Sequence, residues 1–121
     1  MREPRTIAEE YIRLWNETDP SRRRGLLENA WTADATYVDP MAKAAGHQGI
    51  SALVAGVQQR FPGFTFKLVT DPDGYAEHVR FSWSLGPANA EAPIAGSDVI
   101  TMRDGRIAQV IGFLDKVPQG A

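Results

Sequence analysis

Three polar side chains stand where the spacing of apolar residues calls for packing: Tyr11, Asp39 and Asp98. Tyr11 falls on the helical stripe Ile7, Tyr11, Leu14, Trp15, whereas Asp39 follows Tyr37 by two residues in a strand and shares its face. Asp98 precedes Ile100 and Met102 on one face of a later strand. Buried polar groups are the informative exceptions in a core, and these three make a set of one phenol and two carboxyl groups. Taken singly, each has a plainer reading. Tyr11 is also a core aromatic with its hydroxyl on a backbone carbonyl, Asp39 a turn initiator before Pro40, and Asp98 an exposed strand acid. The chain has no Cys, which excludes thiolate nucleophiles, Cys-ligated zinc and disulfide frameworks. Two His residues are too few for a histidine-rich metal site, and neither a glycine-rich phosphate loop nor a matched Lys-Ser/Thr pair is present.

The elements that must position this set divide into a helical half and a strand half. Thr6 followed by Glu9 reads as a capping box for a first helix over Ile7–Asn16. Asp19-Pro20 supplies an N-cap and a first-turn proline for a second helix, with Leu26, Leu27, Ala30 and Trp31 as its apolar stripe and its end near Trp31. Thr36, Tyr37 and Val38 form a short strand that Pro40 ends, and a loop from Ala42 to Gly46 leads to a third helix over Ile50–Arg60. Its buried face is Ile50, Leu53, Val54 and Val57. After the break at Phe61-Pro62-Gly63 the period changes from 3.6 to 2. Phe64, Phe66 and Leu68 alternate with polar residues, and Asp71-Pro72-Asp73-Gly74 is turn chemistry. A long strand then puts Tyr75, Glu77, Val79, Phe81, Trp83 and Leu85 on one face, opposite His78, Arg80, Ser82 and Ser84. Ile94–Met102 and Arg106–Asp115 pair through the hairpin signal Asp104-Gly105. Helices first and antiparallel strands after them argue an α+β domain.

Length and charge bound the rest. With 121 residues and 43% apolar content the chain makes one domain, 1–121, with one core. The net charge is −2, and Arg22-Arg23-Arg24 reads as the solvated face of a helix, so no nucleic-acid partner is expected. No apolar run reaches the length of a membrane span, and Met1–Pro4 has no apolar segment behind it; a cytoplasmic location is the default expectation.

The stretches Glu10-Tyr11-Ile12-Arg13-Leu14-Trp15-Asn16, Ala33-Asp34-Ala35-Thr36-Tyr37-Val38-Asp39-Pro40 and Ala95-Gly96-Ser97-Asp98 are similar to the segments that carry the active site in ketosteroid isomerases. Only the second is close residue by residue. Gly46-His47-Gln48-Gly49-Ile50, Asp104-Gly105-Arg106-Ile107 and Gly112-Phe113-Leu114-Asp115 resemble the wider SnoaL-like group of the NTF2-like superfamily. The resemblance implies an NTF2-like (cystatin-like) cone, three N-terminal helices packed on a curved antiparallel sheet around a pocket. That group is functionally mixed, so the fold alone decides little about activity.

Carried over by position, the resemblance makes Asp39 the general base, removing a proton next to a ketone. It makes Tyr11 and Asp98 the donors to the oxyanion that forms. Such donors are needed because a dienolate is too basic to form in water without them, and a carboxyl donates only when its surroundings keep it protonated. No cofactor and no metal are implied. The substrate is a small hydrophobic carbonyl compound, and Trp15, Tyr37, Met41, Val57, Phe81, Trp83, Met102, Phe113 and Asp115 are the expected lining. The resemblance further implies a homodimer through the exposed sheet face, with His78, Arg80, Ser82 and Ser84 as the candidate interface. Val54 departs from it, standing where the isomerases tend to present a further tyrosine. Asp115 is a third acid if the face it shares with Ile111 and Phe113 is interior and otherwise an exposed strand-end acid near Lys116, and His47 caps the third helix, is simply exposed or faces the pocket mouth. The epoxide hydrolases of the superfamily place Arg two residues before the strand Asp; here that position is Gly96, which argues against epoxide hydrolysis. The competing class is a non-catalytic protein of the same fold that binds a hydrophobic ligand or dimerises.

Overall fold

A computed structural model describes residues 3–118. Helices α1 (Pro4–Asn16) and α2 (Pro20–Ala30) come first, then strands β1 (Trp31–Val38) and β2 (Lys43–Ala45), helix α3 (Gly46–Arg60), and strands β3 (Thr65–Leu68), β4 (Asp73–Tyr75), β5 (His78–Gly86), β6 (Ile94–Arg103) and β7 (Arg106–Lys116). The strands form one sheet in the order β2-β1-β7-β6-β5-β3, with β4 also paired to β5. The α+β cone is as expected, except that the sheet is mixed. β1 pairs with β7 in parallel, and every other pair is antiparallel. Register shifts interrupt the β1–β7 and β6–β7 ladders, and such bulges bend strands and increase their twist. The sheet thereby gains a concave face for the helices.

Local chemistry accounts for the element ends. Pro4 occupies the first turn of α1 and Glu3 is its N-cap without a side-chain cap bond, so Thr6 and Glu9 lie inside the helix and the expected capping box does not form. Asp19 does cap α2, its Oδ2 accepting from the Arg22 amide at 2.9 Å. α2 passes straight into β1, which is longer than Thr36–Val38 because Trp31, Ala35 and Tyr37 all reach the core. The long strand expected from Tyr75 is instead a hairpin. Ala76 takes a positive φ of 50°, and Asp73–Tyr75 folds back on β5. Gly74 permits this, since a Cβ there would lie 2.8 Å from the His78 carbonyl oxygen.

Ile7, Ala8, Tyr11, Leu14 and Trp15 of α1, Leu27 of α2, and Ile50 and Val54 of α3 pack on the inward residues of β1, β5, β6 and β7. The basic triplet is not wholly solvated. Arg23 is buried and donates to Ser51 Oγ at 3.1 Å, to the Glu17 carbonyl at 2.9 Å and to Gln58 Oε1 at 3.2 Å. It ties α2 to α3 and to the end of α1 through neutral acceptors.

Candidate active site

Tyr11 is held by its ring. It stacks on Trp31 at 5.9 Å and meets Phe81 edge-on at 5.4 Å, so its hydroxyl projects from α1 toward the sheet. There it donates to Asp98 Oδ2 at 2.6 Å. Asp98 lies on β6 between Phe81 of β5 and Gly112 of β7, and it is 2% exposed. Its other oxygen, Oδ1, is buried and has no hydrogen-bond partner among the described residues. Burial pushes the Asp98 carboxyl up to about 6, opposed by the Tyr11 hydroxyl and the nearby Trp83 indole and helped to a lesser degree by the charges of Asp39 and Asp115. The Tyr11 hydroxyl is raised well above its ordinary value, first by burial and then by the charge of Asp98.

Asp39 is built differently. It follows β1 in a turn in which its Oδ1 accepts from the Met41 and Ala42 amides, both at 2.8 Å, and its own amide donates to the Ala42 carbonyl at 2.9 Å. The turn reading of Asp39-Pro40 is therefore correct for one carboxyl oxygen. The other, Oδ2, accepts from the Tyr37 hydroxyl at 2.6 Å. Tyr37 is raised by burial and by that bond to Asp39. Asp39 is only partly buried, in contrast to Asp98.

The two acids are brought together by Gly112, which the sequence offers only as part of the SnoaL-like stretch Gly112-Phe113-Leu114-Asp115. A Cβ on Gly112 would lie 2.9 Å from Asp98 Oδ1, 3.3 Å from Asp39 Cβ and 3.4 Å from the Tyr37 hydroxyl. Both acids and the second tyrosine thus surround one point on β7 where there is no side chain. Gly96 does the same for the floor, since Trp83 crosses it so closely that an added Cβ would lie 2.3 Å from Trp83 Cζ2. An arginine at this position would displace Trp83, which removes the epoxide-hydrolase arrangement on steric grounds.

Tyr11, Tyr37, Asp39 and Asp98 open on a single cavity of about 270 Å³. Of the expected lining, Trp15, Tyr37, Met41, Val57 and Trp83 are present, joined by Ile12, Leu53, Phe61, Phe66, Leu85, Ile94 and Leu114. Four expected lining residues are elsewhere. Phe81 and Met102 are buried in the core behind the cavity, Phe81 against the Tyr11 ring. Phe113 is 55% exposed on the outer face of the sheet, and Asp115 shares that face, accepting from Ser97 Oγ at 2.7 Å. The alternation that turns Gly112 and Leu114 inward turns Phe113 and Asp115 out. The signal for the correct face was Gly112 itself, a residue that fits where another group must approach. His47 neither caps α3 through its side chain nor meets the cavity; its Nε2 donates to the Thr32 carbonyl at 3.0 Å, tying α3 to β1. Val54 is fully buried and does not line the cavity. Among the described residues, no three His, Asp or Glu side chains are grouped as a metal ion would require, and no helix is long and apolar enough to cross a membrane.

Residues 8–110 match the SnoaL-like domain. The chain belongs to the SnoaL-like family. A crystal structure from Agrobacterium tumefaciens, provisionally named an isomerase of this family, is 43% identical to it, with 91% of this chain and 95% of that one covered and a TM-score of 0.87. Two more distant structures share the fold: a provisionally named ketosteroid isomerase from Kribbella flavida (16% identity, 98% and 82% covered, TM-score 0.70) and a provisionally named polyketide cyclase from Sinorhizobium meliloti (15%, 88% and 93%, TM-score 0.69). Among curated proteins none matches the chain significantly. The SnoaL-like family, with its NTF2-like cone, is thus the frame for these acids and tyrosines.

Proposed function

We propose that this SnoaL-like protein catalyses cofactor-free proton transfer on a small hydrophobic carbonyl compound, with double-bond isomerisation as the specific reaction. The observation that carries the reading is the unequal treatment of two aspartates on one apolar cavity. Asp98 is buried, raised to about 6 and bonded to Tyr11, whereas Asp39 sits on the more open side with its carboxyl aimed by three donors. In this scheme the Asp39 carboxylate takes a proton from the carbon next to the carbonyl and returns it to the conjugated position on the same face. Below its pKa, Asp98 carries a proton and donates it to the Tyr11 oxygen, which frees the Tyr11 hydroxyl to donate to the carbonyl oxygen as charge develops there. The apolar lining keeps water from competing for that oxygen.

The test is a series of β,γ-unsaturated ketones of increasing size, followed by absorbance of the conjugated product. The native protein should turn over a member of the series that fits about 270 Å³. Asp39→Asn should lose at least ~100-fold in rate, the contribution expected of a positioned base. Equal rates for the two proteins would end the proton-transfer reading and leave a hydrophobic-ligand-binding module.

We also propose that the protein forms a homodimer through the outer sheet face. The polar row His78, Arg80, Ser82 and Ser84 is accompanied there by an apolar patch of Val38, Ile111 and Phe113, with Val38 and Ile111 paired across β1 and β7. Sedimentation of the native protein against Phe113→Asp checks this, and two monomers would contradict it.

A further inference from the structure

The wall that α3 contributes to the cavity changes character along its length. Leu53, Val57 and Arg60 fall on one stripe and all three line the cavity. At the helical rise of about 1.5 Å per residue, Leu53 and Arg60 are separated by about 10 Å along the axis. The helix begins where His47 holds it to the start of β1, and it ends at Arg60, which lines the cavity together with the adjoining Phe61. Arg60 itself is exposed, which puts this end of the stripe at the open edge of the cavity.

Arg60 is the single cation in the lining of the described cavity; the other charged residues there are Asp39 and Asp98. Its guanidinium carbon lies 5.6 Å from the Phe61 ring centroid, which keeps the head group at the rim. Among the described residues no carboxylate pairs with it. Of the other surface arginines, Arg5, Arg80 and Arg103 pair with Asp71, Asp73 and Asp34, whereas Arg13, Arg22, Arg24 and Arg106 have no such partner among the described residues. It is the place of Arg60 on the cavity that sets it apart. A cation suits the last turn of any helix, but that does not require it to border an apolar chamber. A guanidinium at such a place offers a fork of donors matched to an oxyanion.

We propose that the cavity takes an amphipathic ligand, an apolar body within the chamber and an anionic head group on Arg60 at the mouth. The inference rests on the reading of the cavity as a substrate pocket, and it narrows the substrate class to hydrophobic carbonyl compounds that carry an anionic group at the end remote from the Tyr11–Asp98 pair. The Asp39 carboxylate would repel a free anion entering the chamber. It favours a ligand that keeps its charge at the rim, so orientation follows from charge as well as from shape.

Two probes with the same fused ring and anilino group test this by fluorescence titration: 8-anilinonaphthalene-1-sulfonate, which is anionic, and N-phenyl-1-naphthylamine, which is neutral. Arg60→Gln should weaken binding of the sulfonate by about fivefold or more and change the neutral probe by less than about twofold. Arg60→Lys should recover part of the sulfonate binding, and added salt should weaken the sulfonate on the native protein more than on Arg60→Gln. Equal weakening of both probes, no change in either, or no binding of the sulfonate by native protein would overturn the proposal. Asp39→Asn in the same titration separates the two readings. It should abolish turnover and keep the sulfonate preference, so a failure at Arg60 leaves proton transfer standing, and a failure at Asp39 leaves the anionic ligand standing.

Discussion

The two faces of β6 and β7 alternate residue by residue, yet they impose opposite conditions on the same residue types. Inward, Asp98 is 2% exposed and bonded to a buried phenol; outward, Asp115 is exposed and accepts from a serine hydroxyl. Inward stand Gly96 and Gly112, and outward stands the large apolar Phe113. At these two glycines, and at Phe113, the usual arrangement of bulk inside and small or polar residues outside is reversed. An enclosed chamber is made here by leaving volume out of the inner face, and an acid acquires an unusual pKa from its face rather than from its neighbours in sequence.

The largest expected effects lie inward. Asp98→Ala should lower turnover of a matched ketone by ~100-fold or more, because it removes the group that frees the Tyr11 hydroxyl to donate to the developing oxyanion, whereas Asp115→Ala should stay within about twofold. Steady-state kinetics of the pair decides it, and equal losses would erase the distinction between the faces. Gly96→Ala should cost roughly 3 kcal/mol or more, because its methyl group would meet both the Trp83 ring at 2.3 Å and the Phe113 carbonyl oxygen at 2.5 Å. Denaturant unfolding measures this. Gly112→Ala should cost less, roughly 1–2 kcal/mol, since the contacting atoms belong to side chains; its loss of activity should exceed its loss of stability.

A pH experiment sharpens the same contrast. The folded-state pKa of Asp98 is raised from 3.8 to about 6, so the folded protein holds this proton more tightly than the unfolded chain. The associated stability is fully present below about pH 4 and is lost as pH rises through about 6, a change of roughly 3 kcal/mol. Asp98→Asn, which keeps an acceptor for Tyr11, should therefore gain stability over the native protein at pH 8 by about 1–3 kcal/mol and gain little at pH 4. Thermal unfolding at the two values checks the sign. The smallest effect is expected outward: Phe113→Ser should change monomer stability by less than about 0.5 kcal/mol. A larger loss would mean that Phe113 packs against something.

Much of the site was legible because it rests on local periodicity. The helical stripe places Tyr11, and the two-residue strand period places Tyr37 with Asp39 and Asp98 with Ile100. What periodicity cannot supply is which face of a strand is concave. Phe113 and Asp115 share one face by the strand period, but that period leaves both directions open, the apolar Phe113 favouring the interior and the strand-end acid favouring solvent; the approach of Asp98 to Gly112 decides for solvent. The parallel pairing of β1 with β7 and the β4–β5 turn at Ala76 depend on contacts between distant segments, so no local pattern announced them. Arg23 was hidden for the same reason, since its acceptors come from α3 and the end of α1.

The proton on Asp98 decides what the site can do, because with it the Tyr11–Asp98 pair is a donor and without it a buried anion. Carbon-13 NMR of the aspartate carboxyl groups follows it directly, with Asp98→Asn assigning the resonance. One carboxyl should titrate with a midpoint near 6, and that signal should be absent from Asp98→Asn. A native spectrum in which the Asp98 carboxyl has already finished titrating below about pH 5 would contradict it.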